Sequence, residues 1–281
     1  APAGPAEAIR NTPIEVRGAH GPDRVIVTFL DLPPRVQAAV LELDPIRDRT
    51  EYAAWMEIDV ASMRHDSAGT IEQLLAGDEH HRAFGQRLTN LGVTSWTIWS
   101  QGVVEPTPER APRVRVFDLS EFENRSEALI AAIAMVETLW ANRASRKPTL
   151  LVIDEAHNLC PADPSTPLER VLVERLIQIA AEGRKYGLWL LLSTQRPSKV
   201  HPQVLSQCDN LVLMRMNSPA DLDELGRFFG FVPRGMLDAS PYFSQGEMLV
   251  AGGFVPVPSF GRAGQRLTVE PGTDVRVPMP D

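Results

Sequence analysis

The segment Leu150-Leu151-Val152-Ile153-Asp154-Glu155-Ala156-His157 says most about the architecture of this 281-residue chain. Four apolar residues, two of them β-branched, run directly into two adjacent carboxylates. A central strand of a parallel sheet has this composition, because helices cover both of its faces. Ligands gather at the carboxyl ends of such strands. The stretch therefore predicts a buried strand that delivers Asp154 and Glu155 to a ligand-binding edge.

Two carboxylates at one strand end can divide the work of phosphate hydrolysis, as in a Walker B strand. Asp154 is suited to hold Mg²⁺, directly or through water. Glu155 is suited to orient and deprotonate an attacking water. An acidic helix cap, or a surface turn after a core strand, would give the same residues. Both interpretations stay open at this point.

The usual companion of such a strand is missing from the sequence. A phosphate-binding loop needs Gly-Lys followed by Ser or Thr, and none of the three lysines (Lys147, Lys185 and Lys199) follows a glycine. We expect a chain without this loop to bind ATP weakly or not at all. Because the sequence begins at Ala1 without methionine, we expect truncation rather than an inherited loss.

A second apolar run, Leu190 to Leu192, ends in Ser-Thr-Gln195. If its strand neighbours the acidic strand, the Gln195 amide arrives beside Glu155, where it can sense a phosphate or hold water. Binding of loop backbone by this glutamine is the alternative.

Arg184 and Lys185 lie between a predicted helix and the second strand, opposite the edge that carries the carboxylates. An arginine there cannot easily reach its own site but can reach a neighbour's in a ring, as arginines supplied in trans do in phosphoryl transfer. Capping of the helix C-terminus explains the two cations equally well.

Composition limits the function classes. The formal net charge of -8 argues against a surface that is basic all over, although a local basic patch can still contact nucleic acid. Cys160 and Cys208 have no metal-ligand spacing and are expected to be reduced thiols of a cytoplasmic protein. No apolar run approaches the roughly 18 residues that span a bilayer, so we expect no membrane partner.

Strands that alternate with helices indicate an α/β fold whose parallel sheet is covered on both faces. We expect four segments: a linker or arm over 1–22, a mainly helical subdomain over 23–112, an α/β core over 113–260 and a tail over 261–281. The predicted strands cover 25–30, 114–119, 149–154, 187–193 and 210–216, with a closing hairpin over 247–251 and 254–257. The predicted helices cover 35–91 in several pieces, 123–144, 166–182 and 219–229. Asp78-Glu79-His80-His81 could suggest a metal site, but its spacing favours a solvated helix start.

Three motifs in order resemble the HerA family of hexameric DNA translocases, relatives of FtsK. They are LLVIDEAHNLCP at 150–161, EGRKYGLWLLLSTQRPSKVHPQVLSQCDNLVLMRM at 182–216 and SPADLDEL at 218–225. The likeness covers roughly residues 113–260, and it includes VFDLS at 116–120. It implies a RecA-like core of the additional-strand P-loop class, a ring of six subunits, and ATP- and Mg²⁺-dependent movement along double-stranded DNA. It also implies a partner, either a nuclease of the NurA type or a phage-defence effector. The family's N-terminal β-barrel and P-loop lysine are absent.

By residue, the resemblance assigns Asp154 and Glu155 to Walker B, Gln195 to the polar sensor and Arg184 to the trans-acting arginine. His157 matches the family's DEAH-like string and would act behind the carboxylates; from the residues alone, a packed or surface histidine is favoured. The basic loop of Arg196, Lys199 and His201 could face DNA or be an ordinary solvated loop.

Two other functions stay open beside the DNA motor. One is a non-hydrolysing module for ring assembly and partner docking. The other is a related pump that moves DNA or protein in conjugation or secretion.

Overall fold

The computed structural model describes residues 12–58, 67–99 and 112–265, and it has the predicted α/β fold. Its strands are β1 (Ile14–Arg17), β2 (Val114–Phe117), β3 (Thr149–Ile153), β4 (Leu188–Leu192), β5 (Asn210–Leu213), β6 (Glu247–Gly252) and β7 (Ser259–Arg262). Its helices are α1 (Pro34–Val40), α2 (Arg49–Glu57), α3 (Ser67–Ala76), α4 (Glu79–Leu91), α5 (Arg125–Ala141), α6 (Pro167–Glu182), α7 (Pro202–Leu205), α8 (Pro219–Phe228) and α9 (Arg234–Leu237). No helix in these ranges is long and apolar enough to cross a bilayer.

The strands form three sheets in the described residues rather than one continuous parallel sheet. β1 pairs with β2, and β3 with β4, both in parallel. β5, β6 and β7 form an antiparallel sheet: β6 and β7 are a closing hairpin, whereas β5 was expected to join the parallel sheet. The C-terminal part of the α/β region is therefore an antiparallel sheet and not a continuation of the parallel strands.

The β3–β4 pair is covered on only one face by the described residues. Leu151, Ile153 and Leu188 are buried on the face where α6 packs against β4. On the other face the apolar side chains of Leu150, Val152, Trp189 and Leu191 are 57%, 56%, 47% and 46% exposed. The α/β class is confirmed, but the predicted second helical layer is not present in this part of the chain.

The N-terminal helical block shares its core with the α/β region. Buried side chains of α1 and α4, such as Val36 and Leu88, belong to the same continuous cluster as Ile133 of α5 and Ile153 of β3. In its described residues the block is helical and has no apolar core of its own. Val60 and most of the proline-rich boundary at 104–112 lie outside the described residues.

A second apolar cluster lies within the predicted 113–260 core. It joins β5, α8 and β6 through residues such as Leu211, Leu225 and Leu249. The predicted single core therefore contains two apolar clusters, with the second around the antiparallel sheet.

Three predicted segments near the ends of the fold differ from the structure. Val25 and Val27 are buried, but residues 25–30 form only an isolated bridge from Val27 to Trp99 and a 3-10 turn, since their apolar side chains enter the core without a partner strand. The expected arm over 1–22 contains β1, whose short alternating sequence the compositional boundary obscured. The last hairpin strand begins at Ser259 rather than at Phe254, because Pro256 and Pro258 cannot donate to a ladder.

A buried ion pair fixes the packing of α5 on α6. Arg175 Nε and Nη2 each donate to a different oxygen of Glu137 at 2.8 Å. Arg35 of α1 donates to the same carboxylate at 2.6 Å. The Arg175 guanidinium also lies 5.3 Å from the ring centroid of Trp140. Two-pronged pairing satisfies the buried charges and makes the geometry specific.

The start of α6 carries a capping box. The Thr166 hydroxyl accepts a hydrogen bond from the Glu169 backbone, and the Glu169 carboxylate accepts one from the Thr166 backbone. The Glu169 side chain is 7% exposed and pairs with Arg125 at 2.8 Å. Burial alone would raise the pKa of Glu169, but hydrogen bonds from Arg125, Ser165 and Thr166 outweigh it and lower the pKa to about 2.

Glu169→Gln is expected to lower the free energy of unfolding at neutral pH by roughly 2 kcal/mol. Since the folded pKa lies below the ordinary value of 4.5, the carboxylate stabilises the fold fully above that value and loses this effect as pH falls toward 2. Denaturant unfolding at about pH 7 and about pH 3 should thus show a smaller pH dependence in the variant. Glu174→Gln is the matched control on the same helix, because that side chain is 65% exposed. Equal pH dependence of the wild type and Glu169→Gln would contradict the prediction.

Candidate active site

The carboxyl ends of β3 and β4 are joined beyond the regular strands. The Ser193 backbone N–H donates to Ile153 O, and the Ala156 N–H donates to Ser193 O, both at 2.9 Å. Because these bonds bracket Asp154 and Glu155, the acidic turn is held against the end of β4. The predicted adjacency of the two strands is confirmed.

Glu155 has a left-handed backbone, with φ 45° and ψ 49°. Residues with a Cβ adopt this conformation at an energetic cost, and they concentrate at functional sites. Asp154 stays exposed and accepts a hydrogen bond from the Glu155 N–H at 3.0 Å. The turn therefore separates the two neighbouring carboxylates.

The Gln195 amide contacts Glu155 as predicted. Its Nε2 donates to Glu155 Oε1 at 3.1 Å. The other oxygen, Oε2, is buried and has no hydrogen-bond partner. His157 Nδ1 lies 3.2 Å from Oε2, within ion-pair distance but without the geometry of a hydrogen bond. The site thus brings Glu155, Gln195 and His157 together.

Arg184 and Lys185 lie at the other end of β4. Both are exposed in the 3-10 turn over 183–186, which ends at Gly187 in the left-handed region (φ 78°). At about 3.3 Å per residue, the five residues of β4 separate this turn from Gln195 by roughly 15 Å. In the described residues neither cation has an ion-pair partner. Arg184 therefore does not join the acidic site of its own chain.

The basic loop after β4 is anchored to the second apolar cluster. Asp221 of α8 accepts a hydrogen bond from the Ser198 N–H at 2.9 Å. Burial would raise the pKa of Asp221, but hydrogen bonds from Ser218 and Ser198 and the charge of Arg196 lower it. Arg196 and Lys199 remain exposed.

His201 has a structural role at the end of that loop. Its Nδ1 accepts a hydrogen bond from the Gln203 N–H as the N-cap of α7, and its backbone N–H donates to Cys160 O. Burial lowers its pKa. This histidine was grouped with Arg196 and Lys199 on sequence proximity alone.

The segment Asp78-Glu79-His80-His81 is a helix start, as predicted. Asp78 caps α4 by accepting a hydrogen bond from the His81 N–H. In the described part of the chain, no group of three or more His, Cys, Asp or Glu side chains could hold a metal ion.

Thr194 is a site residue that the motif comparison did not single out. Its Oγ1 accepts a hydrogen bond from the Arg196 N–H at 3.0 Å and lies 3.1 Å from His157 Nδ1. The only signal in the sequence was its position directly before Gln195.

The fold and these strand ends define a P-loop NTPase core. Two solved structures share the architecture: VirB4 of Thermoanaerobacter pseudethanolicus, with a TM-score of 0.57, 16% identity and coverage of 89% of this chain and 82% of that one, and the bacterial conjugative coupling protein TrwBdeltaN70, with a TM-score of 0.52, 15% identity and coverage of 92% and 76%. At these identities the likeness is one of fold. The model of the ATPase family associated with various cellular activities (AAA) matches residues 107–216.

Proteins of similar sequence indicate which kind of ATPase this chain resembles. A protein of Methanocaldococcus jannaschii named as a probable helicase is 36% identical over 117 residues, 42% of this chain and 22% of its own length. The probable DNA double-strand break repair helicase HerA of the same organism is 29% identical over 131 residues, 47% of this chain and 25% of its own. HerA of Sulfurisphaera tokodaii is 28% identical over 155 residues, 52% and 30%. Over these segments the chain is similar to HerA-type ATPases, and the match spans less than a third of these relatives' lengths.

Proposed function

We propose that this chain is the motor portion of a HerA-type ATPase that couples ATP hydrolysis to movement along double-stranded DNA. The observation that carries the proposal is the contact between Gln195 and Glu155 at the joined ends of β3 and β4. The Glu155 carboxylate and the Gln195 amide lie 3.1 Å apart. Together they can hold one water molecule against the phosphate that it attacks. Glu155 would act as the base and Gln195 as the group that senses the phosphate.

Asp154 is the residue that would hold Mg²⁺. Its carboxylate is exposed, and Mg²⁺ shared with phosphates is bound by one or two carboxylates and several waters rather than by a cage of protein ligands. The donor set therefore fits. When bound, the ion neutralises charge on the phosphates.

One face of the β3–β4 pair is exposed, and this supports the proposal that another structural unit completes the nucleotide site. Parallel strands are normally covered on both faces, yet Leu150, Val152, Trp189 and Leu191 are about half exposed. A strand–loop–helix unit that covered them would also be the element that carries a phosphate-binding loop. We infer that this unit comes from outside the described residues.

Assembly and partners follow from the same proposal. Arg184, at the opposite end of β4 from Gln195, would enter the site of a neighbour in a hexameric ring. Lys185 would support it from the same turn. Arg196 and Lys199, which are exposed on the anchored loop, would contact DNA phosphates in the pore. A nuclease of the NurA type or a phage-defence effector would be the protein partner, in the cytoplasm.

A non-hydrolysing assembly module is the second candidate, because none of the 281 residues forms a Gly-Lys-Ser/Thr loop. ATP hydrolysis by the protein with its completed phosphate site, with and without duplex DNA, separates the two. We expect hydrolysis that duplex DNA stimulates at least about tenfold, since filling the pore aligns neighbouring subunits. Binding of DNA with no hydrolysis in either condition would support the assembly module instead.

A further inference from the structure

The Glu155 carboxylate has one supported oxygen and one buried oxygen without a hydrogen bond. Oε1 accepts from Gln195, whereas Oε2 is shut off from solvent although the side chain as a whole is 39% exposed. A carboxylate oxygen removed from water without a donor is costly. A proton placed near Oε2 would therefore stabilise this position of Glu155.

The His157 ring is the group that can supply this proton. Its Nδ1 lies 3.2 Å from Glu155 Oε2 and 3.1 Å from Thr194 Oγ1, and the side chain is 19% exposed. With the proton on Nε2, Nδ1 would present a lone pair to Oε2, which repels it. With the proton on Nδ1, the N–H can donate to Thr194 Oγ1 and places its positive end within ion-pair distance of Oε2.

The Thr194 hydroxyl is placed to fix the ring. One of its lone pairs accepts the Arg196 N–H at 3.0 Å, which leaves the second lone pair free to accept from Nδ1. Thr194 follows β4 and Glu155 follows β3, so the hydroxyl sits on a different strand end from the carboxylate. The ring thus bridges the two strands.

We propose that Thr194 and His157 are positioning residues for Glu155, with the Nδ1–H of His157 donated to Thr194 Oγ1 and held next to Glu155 Oε2. Holding Oε2 in this way leaves Oε1, beside Gln195, as the oxygen that faces the attacking water. The left-handed backbone of Glu155 makes this support necessary, because a strained turn can relax and carry the carboxylate with it. The kinetic consequence of this inference rests on the proposed hydrolytic role of Glu155. The hydrogen-bond pattern of His157 does not depend on that role.

The hydrogen-bond pattern is testable without catalysis, by ¹⁵N NMR of histidine-labelled full chain. His157→Gln assigns the His157 ring among the six histidines. We expect Nδ1 to carry a proton in the wild type and in Thr194→Ser, and a shift toward the Nε2–H form in Thr194→Val. A wild-type ring protonated only at Nε2 would overturn the proposal.

The kinetic consequence is tested in the protein with its completed phosphate site. Thr194→Val is expected to lower kcat about tenfold while KM for ATP stays within about twofold, and Thr194→Ser to restore kcat to within about threefold. Equal losses of kcat in Thr194→Val and Thr194→Ser, or an unchanged kcat in Thr194→Val, would overturn the positioning role. Absence of hydrolysis in the wild type would defeat the proposed function, and the NMR result would still decide the hydrogen-bond pattern.

Discussion

Glu155→Gln is expected to lower kcat for ATP hydrolysis by about 10² to 10⁴ in the protein with a completed phosphate site. The substitution keeps the shape of the side chain and a partner for Gln195, but it removes the base that accepts the proton of water. Asp154 is untouched, so the affinity for ATP and Mg²⁺ should stay within roughly threefold. Steady-state hydrolysis and equilibrium binding of a fluorescent ATP analogue measure the two quantities.

Asp163→Asn is the matched control for Glu155→Gln. Asp163 is an exposed carboxylate on the loop after the same strand, and its neutralisation changes the net charge by the same amount. We expect hydrolysis by this control to stay near the wild-type rate. Undiminished hydrolysis by Glu155→Gln would remove Glu155 from the mechanism.

Arg184→Ala is expected to lower kcat by about 10³ to 10⁵, the range found for arginines supplied to phosphoryl transfer from a neighbouring subunit. The exposed side chain has no ion-pair partner in the described residues, so the fold and the assembly should be unaffected. Lys185→Ala is the comparison variant in the same turn and should cost much less. Sedimentation of both variants checks the oligomeric state independently of activity.

Mixed assemblies test whether Arg184 acts in trans. A Glu155→Gln subunit retains Arg184, and an Arg184→Ala subunit retains Glu155. Where the two meet in the right order, one interface contains both intact groups, so mixing two inactive variants should recover part of the activity. If no ratio of the two recovers any hydrolysis, the proposed sharing of sites between neighbours loses its support.

The part of the site that could be predicted from sequence depended on strand ends. The apolar runs before Asp154 and before Ser193 indicated two buried strands, and parallel pairing then required Gln195 to lie beside Glu155, as it does. The capping box of Thr166 and Glu169 is equally predictable, because its two residues are close together in the sequence.

Features that depend on distant contacts were not predictable in the same way. The left-handed turn at Glu155 is held by backbone hydrogen bonds between its neighbours and Ser193, which follows β4, and the local sequence does not indicate this contact. The pairing of β1 with β2 joins residues about a hundred positions apart. In the sequence Thr194 looks like an ordinary polar residue. Its contact with the His157 ring is seen only in the folded structure.

Displacement of a third strand from duplex DNA would show most directly whether this chain is part of a DNA-translocating motor. A protein that moves along the duplex strips a bound triplex-forming strand, whereas one that only binds leaves it in place. We expect displacement that requires ATP hydrolysis and is lost in Glu155→Gln. Hydrolysis at the wild-type rate with no displacement, on duplexes of any length, would contradict it.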